Sequence, residues 1–390
     1  MAAGWLKRTC GVTRELYRAF CKFASPKDGM SVYGLPRELR MSNPYLTTNY
    51  SRLICLRPIE LFSIALCSWI LMSTGYAQTS ARELALTPDA TPTAPSAEVW
   101  HTIDARTSKG LRELFRFSGQ PLPIVSAHRG GAGPRLPENC IATFAETLRH
   151  GYAMLEIDPR LTRDGQIVVL HDATLDRTTT GHGPIKEQTL AELKKLRLKD
   201  INGDVTDFQI PTLSEVFQWA KGKAVLVIDG KDLSAVERVR QIEKHNAESY
   251  AMLIAGNAAA AKECYKLNPE IMMEVFISDQ KQFDTFEASG VRWSNMIAFV
   301  GHKPTKDRDL LKRLHDRGVS TIAGTSRNLD RDLTKRQDGD REFQPKYREL
   351  LERGIDLIET DLPRRIWPLL YRNIDIPKSK KKFFSSTDVN

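Results

Sequence analysis

Cysteine is scarce in this chain and is concentrated near its beginning. The 390 residues include six cysteines, and four of them precede residue 78. Only Cys140 and Cys264 remain after that point, and no two cysteines are spaced as C-x-x-C. This pattern excludes a disulfide framework and a zinc site of clustered thiolates, and it leaves at most one disulfide open.

Basic residues are in excess only at the two ends. The net charge is +9, of which residues 1–77 contribute +6 and residues 376–390 contribute +3, so the region between them is neutral overall. A nucleic-acid partner is therefore not predicted. Residues 374–390 form a basic tail. Its lysines beside Phe383 and Phe384 could touch an anionic membrane surface, but a frayed tail is the favoured interpretation.

A transmembrane-length apolar run is also missing. The run at residues 61–74 has 14 residues, whereas a helix needs about 20 to cross a bilayer. It follows Arg52 and Arg57 and ends in Gly75-Tyr76-Ala77, so residues 1–77 are predicted to be a presequence with a signal peptide that is cleaved near Ala77. The mature protein would then be exported, to a periplasm or to the medium. An uncleaved signal anchor is the alternative, and a start at Met41 would give a signal of ordinary length.

Alternation of strand-like and helical patterns marks the folded region. Residues 78–100, rich in Thr, Ala, Pro and Ser, predict a flexible leader, and residues 101–373 predict the folded domain. The predicted strands are 124–127, 154–158, 167–170, 224–229, 251–254, 272–277, 296–300, 320–323 and 356–359. The predicted helices are 108–117, 139–149, 213–220, 234–244, 258–267, 307–317 and 347–353. Such alternation is typical of βαβ units and a parallel sheet.

The number of strands favours a closed barrel. If the run at 167–170 belongs to an excursion, eight core strands remain, as in a TIM (β/α)8 barrel. A doubly wound sheet is the alternative, but it usually has a glycine-rich turn after its first strand, and His128-Arg129-Gly130-Gly131 does not match that fingerprint. We therefore predict an α/β TIM barrel. It has an excursion after the second barrel strand, at 172–207, and a charged insertion near the seventh, at 324–344.

Carboxylates at the ends of predicted strands indicate a metal site. Glu156 and Asp158 are two residues apart on one strand, so their side chains point to the same side. Two such carboxylates would repel each other unless a cation lies between them. Asp229, at the end of the next long strand, would be a third ligand, and oxygen ligands suit Ca²⁺ or Mg²⁺. A salt bridge from Glu156 to an arginine is the alternative.

Two histidines and two cations also follow strand-like runs. His128 and His171 could reach one site above the sheet, where imidazole is suited to proton transfer near neutral pH. Arg129 and Lys231 add the fixed positive charge that phosphate recognition requires.

Taken together and in order, the motifs resemble those of the glycerophosphodiester phosphodiesterase family. They are H-R-G at 128–130, P-E-N at 137–139, E-I-D at 156–158, V-V-L-H-D at 168–172, R-T-T-T-G at 177–181 and I-D-G-K at 228–231. The resemblance is close over residues 124–231. It implies a TIM-barrel phosphoric diester hydrolase that cleaves glycerophosphodiesters, its small-molecule substrates, into an alcohol and glycerol phosphate with a divalent metal. It implies histidine acid/base catalysis by His128 and His171, metal ligation by Glu156, Asp158 and Asp229, and substrate contacts from Arg129 and Lys231.

Two departures from the family pattern bear on specificity. Asp229 stands where many members have the longer Glu, which leaves the choice between Ca²⁺ and Mg²⁺ open. Residues 320–325 contain no tryptophan, which leaves the identity of the alcohol open. Two other functions remain: a lysophospholipase-D-like phosphodiesterase whose substrate keeps an acyl chain, and an exported binding protein that has lost catalysis.

Overall fold

The computed structural model describes residues 98–303, 305–335 and 340–389. The predicted presequence at 1–77, its cleavage site and residues 78–97 of the predicted leader lie outside the described residues. Within the described residues, none of the helices combines the length and the apolar character needed to span a bilayer.

Strands and helices alternate along most of the described chain. The strands are β1 (Glu98–Ile103), β2 (Val125–Ala127), β3 (Ala153–Ile157), β4 (Pro159–Leu161), β5 (Ile167–Val169), β6 (Val225–Ile228), β7 (Ala251–Ala255), β8 (Met272–Phe276), β9 (Met296–Phe299), β10 (Thr321–Gly324), β11 (Leu357–Thr360) and β12 (Phe384–Val389). The helices are α1 (Ser108–Phe115), α2 (Ile141–His150), α3 (Leu190–Leu193), α4 (Leu213–Ala220), α5 (Ala235–Lys244), α6 (Ala258–Leu267), α7 (Gln280–Glu287), α8 (Arg308–Asp316), α9 (Leu329–Thr334), α10 (Asp340–Glu352) and α11 (Pro363–Tyr371).

Eight of the strands form a closed parallel barrel. Their order around the barrel is β2-β3-β6-β7-β8-β9-β10-β11, and β11 pairs with β2 through Ile358 and Val125, which closes the sheet. The predicted TIM barrel is confirmed. The doubly wound alternative is wrong, because an open sheet would leave β2 and β11 unpaired on one side.

Alternate residues of the barrel strands build two separate apolar cores. Met154, Val227 and Met272 point into the barrel, where they join Leu111 and Phe115 of α1 in one buried cluster. The strand residues between them point outwards and pack against the surrounding helices in a second cluster. The period of two in a strand explains this division, and each fully buried side chain of this size contributes about 1.5–3 kcal/mol.

Side-chain caps set where several barrel helices begin. Thr212, Ser234, Asn257, Asp279 and Asp307 each precede a helix and accept a hydrogen bond from the backbone N–H three residues further on. These residue types satisfy amide groups that the first helical turn leaves unpaired, at about 1 kcal/mol each. The caps therefore fix the helix starts on the side of the barrel where the strands end.

The excursion after the second barrel strand begins earlier than predicted. Strand β4 starts at Pro159, directly after Asp158, and pairs antiparallel with β5 outside the barrel. The sequence predicts a start at Asp172, because the three residues of β4 are too short to show a strand pattern. The excursion has its own apolar core, which includes Val168, Leu170, Leu198 and Ile210.

The end of the described chain is ordered and folds against its beginning. Strand β12 pairs antiparallel with β1, with Glu98 opposite Val389. The frayed-tail interpretation is therefore wrong for residues 374–389, and residues 98–100 of the predicted leader belong to β1. Lys380 is 3% exposed and donates to the backbone oxygen of Arg116 at 2.9 Å, near the end of α1. These contacts hold the tail against α1, near the amino ends of the barrel strands.

Both remaining cysteines are buried free thiols. Cys140 precedes α2 and Cys264 lies in α6, and neither forms a disulfide. Burial raises the pKa of both thiols. The single disulfide that the sequence left open is absent from the described residues.

Candidate active site

One cavity of about 490 Å³ opens where the barrel strands end, on the carboxyl side. This is the face on which TIM barrels carry their sites. Its lining residues come from every barrel strand or the loop that follows. They are His128, Arg129, Glu156, His171, Asp229, Lys231, Ile254, Glu274, Phe276, Phe299, His302, Ser326, Arg327, Glu359 and Asp361. Six of the seven predicted site residues are among them, and the seventh, Asp158, is buried beside Glu156.

The three predicted metal ligands converge. One carboxylate oxygen from each of Glu156, Asp158 and Asp229 lies within 4.8 Å of the other two. Glu156 is 3% exposed and Asp158 is 1% exposed. Their orientation is set by neighbours: the backbone N–H of Arg129 donates to Glu156 Oε2 at 2.8 Å, and Asn139 Nδ2 donates to Asp158 Oδ2 at 2.6 Å. The P-E-N and H-R-G motifs therefore hold the carboxylates in place.

The charges of this cluster are only partly compensated within the chain. Burial, together with the nearby charges of Asp158 and Glu359, raises the pKa of Glu156 well above its usual range. Burial would also raise the pKa of Asp229, but its hydrogen bonds from Lys231 and from the backbone of Gly230 lower it. A divalent cation on these oxygens would relieve the repulsion at Glu156. The three oxygen donors fit the ligand preference of Ca²⁺ or Mg²⁺.

Lys231 and Arg129 lie at the edge of the carboxylate cluster. Lys231 Nζ is 3.1 Å from Asp158 Oδ1 and also pairs with Asp229. Burial opposes its charge, but these two carboxylates raise the pKa of Lys231. Arg129 Nη1 is 3.2 Å from Glu138 Oε2. Arg129 has a left-handed backbone, with φ of 53°, which is uncommon for a residue with a side chain and is characteristic of functional sites.

Each predicted catalytic histidine is held by a carboxylate at the same ring nitrogen. His128 Nδ1 is 2.6 Å from Asp361 Oδ1, and His171 Nδ1 is 2.8 Å from Asp172 Oδ1. Burial would lower the pKa of His128, but the hydrogen bond to Asp361 and the charge of Glu359 outweigh it and raise that pKa. Because both rings are bound at Nδ1, each can direct Nε2 towards the cavity that both of them line.

Several cavity residues were not predicted from the sequence. Asp361 directly follows β11, and Glu359 and Glu274 lie within the barrel strands β11 and β8. Burial is the main cause that raises the pKa of Glu359, to about 7. Glu274 interrupts the apolar run M-M-E-V-F, and Glu359 directly follows the apolar pair Leu357-Ile358. A carboxylate in an otherwise apolar strand was the signal that could have identified them.

Comparison with known proteins identifies related sequences. Residues 128–364 match the model of the Glycerophosphoryl diester phosphodiesterase family. A solved glycerophosphoryl diester phosphodiesterase from Parabacteroides distasonis is 35% identical, with a TM-score of 0.70. The match covers 74% of this chain and 100% of that one.

Two curated relatives match over shorter regions. A glycerophosphodiester phosphodiesterase from Caldanaerobacter subterraneus is 36% identical over 156 residues, which is 38% of this chain and 64% of the relative. A lysophospholipase D from Rattus norvegicus is 34% identical over 156 residues, which is 37% of this chain and 49% of the relative. The chain thus spans less than two thirds of the length of either of these proteins.

Proposed function

Because the chain belongs to the glycerophosphoryl diester phosphodiesterase family, we propose that it hydrolyses glycerophosphodiesters to an alcohol and glycerol phosphate, using a divalent cation and two histidines. One observation carries the proposal: two imidazoles, each fixed by a carboxylate, line the same cavity as the cluster of Glu156, Asp158 and Asp229. A binding protein that had lost catalysis would have no need for this combination.

The charge of the cavity supports a requirement for a cation. Five carboxylates line it, whereas only three lysine or arginine side chains do. In their ionised forms these carboxylates would repel an anionic phosphodiester unless positive charge were added, and a cation would also favour the ionised form of Glu156. Glu156, Asp158 and Asp229 would hold a Ca²⁺ or Mg²⁺ ion, which when bound stabilises negative charge on the phosphate oxygens.

The two histidines would perform the proton transfers. One imidazole takes the proton from the attacking oxygen, and the other gives a proton to the oxygen of the departing alcohol. Their Nδ1 hydrogen bonds leave Nε2 as the reacting atom on both rings. Acid and base catalysis of this kind contributes a factor of about 10² to 10⁴. Arg129 and Lys231 would offset phosphate charge at the rim of the carboxylate cluster.

Release of glycerol phosphate from glycerophosphocholine, with and without a chelator, tests this proposal. We expect the chelator to abolish turnover and added Ca²⁺ or Mg²⁺ to restore it. Calorimetric titration with each metal should show binding to the native chain and much weaker binding to Glu156→Gln. Full activity in excess chelator would contradict the role of the metal.

A lysophospholipase-D-like activity is the second candidate. It is supported by the similarity to the rat lysophospholipase D and by Phe276, an aromatic side chain of the cavity lining that is 38% exposed. Faster cleavage of lysophosphatidylcholine than of glycerophosphocholine would favour this candidate.

Export remains part of the proposal, on the strength of the 61–74 run and the Gly75-Tyr76-Ala77 end. Amino-terminal sequencing of the mature protein should begin near Gln78. An intact start at Met1 would contradict cleavage.

A further inference from the structure

Glu274 is a buried carboxylate that the proposed reaction does not use. It lies in β8, is 1% exposed and lines the cavity. Its Oε2 atom is buried and has no hydrogen-bond partner among the described residues. An unpaired buried polar atom costs about 1–3 kcal/mol, so this oxygen calls for a partner that the described chain does not supply.

The surroundings of Glu274 add negative charge. Burial and the charges of Glu359 and Asp229 raise the pKa of Glu274 well above its usual range, and no cation of the described chain offsets them. A cation at Asp229 would relieve only one of these interactions. A positively charged occupant of this part of the cavity would favour the ionised form of Glu274 and balance its charge.

A second metal ion at Glu274 and Glu359 is not supported by the arrangement of their neighbours. Within the described residues, the one group of three or more metal-binding side chains whose ligand atoms come together is Glu156, Asp158 and Asp229, and it includes neither Glu274 nor Glu359. A protein site for Ca²⁺ or Mg²⁺ usually requires several converging oxygen ligands. An organic cation has no such requirement.

Two aromatic rings line the same cavity as Glu274. Phe276 lies two residues further along β8, so its side chain points to the same side as that of Glu274. Its ring centroid is 4.9 Å from that of Phe299, with the planes inclined at 35°, and both residues line the cavity. Aromatic faces attract ammonium groups and are the usual surface for binding quaternary ammonium ligands.

We propose that Glu274, Phe276 and Phe299 form a subsite for the positively charged amino or trimethylammonium group of the alcohol esterified to the phosphate. The proposal rests on the proposed function and specifies its substrate class: glycerophosphodiesters of cationic alcohols. The metal site would hold the phosphate, and the wall of β8 and β9 would select the head group.

The test compares one cationic and one neutral head group. The probes are glycerophosphocholine and glycerophosphoglycerol, with glycerol phosphate release measured for both at a fixed metal concentration. We expect the native chain to prefer glycerophosphocholine by about tenfold or more in kcat/KM, which is the scale of one desolvated cation–π contact together with one charge pair. Glu274→Gln keeps the size of the side chain and should bring the ratio of the two kcat/KM values close to one.

Two further variants guard against a folding artefact. Phe276→Leu changes a side chain that is 38% exposed and should lower the ratio severalfold while the chain stays folded. Glu263→Gln is the matched control, because this glutamate is exposed on α6, and it should leave the ratio at the native value. Circular dichroism checks the fold of each variant.

The outcomes separate this inference from the proposed function. An equal loss of kcat/KM on both probes in Glu274→Gln would place Glu274 at the shared glycerol unit and overturn the subsite, as would a native ratio near one. If neither diester is cleaved, the proposed function fails, and calorimetric titration with choline still decides the subsite. Weaker choline binding in Glu274→Gln than in the native chain would support it, and equal binding would overturn it.

Discussion

The two histidines of the site are held alike but are supported by very different surroundings. Behind His128, Asp361 receives its position from Asp330, which is 1% exposed. Asp330 accepts hydrogen bonds from the backbone N–H of Asp361 at 2.7 Å, from Thr360 at 2.8 Å and from the hydroxyl of Tyr347 at 2.6 Å. The support of His128 is therefore a buried network tied to the end of the last barrel strand.

Behind His171, the support depends on a half-exposed arginine that joins Asp172 to the buried Glu138. Asp172 accepts from Arg177 Nε at 2.6 Å, and Arg177 also donates to Glu138 Oε1 at 2.8 Å. The side chain of Arg177 is 49% exposed. The hydrogen bond from Arg177 is the main reason that the pKa of Asp172 lies well below its usual range. Glu138 in turn accepts a hydrogen bond from Arg129.

The two networks are expected to differ in role: the one behind His128 stabilises the fold, and the one behind His171 positions the ring. A buried network leaves unsatisfied donors when one member is removed, and that cost appears in the free energy of unfolding. Arg177 is half-exposed, and the buried Glu138 keeps its hydrogen bond from Arg129 when Arg177 is replaced. Loss of Arg177 should therefore cost little stability and should appear in the geometry of His171 and hence in turnover. The barrel thus carries one histidine, and the excursion carries the other.

The largest effect is expected when the imidazole rings themselves are removed. His128→Ala and His171→Ala should each lower kcat by about 10² to 10⁴, since each deletes one proton-transfer group. Glycerol phosphate release under saturating substrate measures the loss. His182→Ala is the control, because His182 lies in the excursion with a side chain that is 83% exposed and outside the cavity lining. Substantial activity in either variant would show that this histidine has no role in proton transfer.

The second largest effect is expected on the free energy of unfolding, when Asp330 is replaced. Asp330→Ala removes the acceptor of three buried donors, and we expect the free energy of unfolding to fall by about 3 kcal/mol or more, because each stranded donor costs about 1–3 kcal/mol. Urea denaturation at neutral pH measures this loss. Asp332→Ala is the matched control, since Asp332 is an exposed residue of the same helix, α9. A loss below about 1 kcal/mol in Asp330→Ala would show that the network does not hold Asp361 as the structure implies.

The sequence predicted the parts of the site that local patterns encode. Glu156 and Asp158 share one strand, and His128 and Asp229 each follow one, so the rule that barrel sites form at strand ends brought them together. Alternation of apolar runs also predicted the barrel.

The remaining contacts join residues that no spacing links. Tyr347 meets Asp330 from another helix, 17 residues away, and His128 meets Asp361 across 233 residues. The pairing of β1 with β12 joins Glu98 to Val389. The lysines before β12 predicted a frayed basic tail, because no sequence pattern showed which strand would receive it.

The smallest effect is expected when Arg177, behind His171, is replaced. Arg177→Met keeps much of the aliphatic side chain but removes both ion pairs, and we expect kcat to fall about tenfold while the free energy of unfolding changes by less than about 1 kcal/mol. The metal affinity should stay at the native value, because Arg177 contacts none of Glu156, Asp158 and Asp229. Parallel measurements of kcat, KM and urea denaturation separate these effects.

Arg177→Lys refines the same test. A lysine keeps the charge but cannot bind Asp172 and Glu138 through a planar guanidinium group. A kcat between those of Arg177→Met and the native chain would show that charge accounts for part of the positioning of Asp172. Arg163→Met is the control, because Arg163 also lies in the excursion, pairs with Glu192 and has a side chain that is 57% exposed. If Arg177→Met instead lost as much stability as Asp330→Ala, the contacts of Arg177 would be structural. The distinction between a stabilising network behind His128 and a positioning network behind His171 would then be wrong.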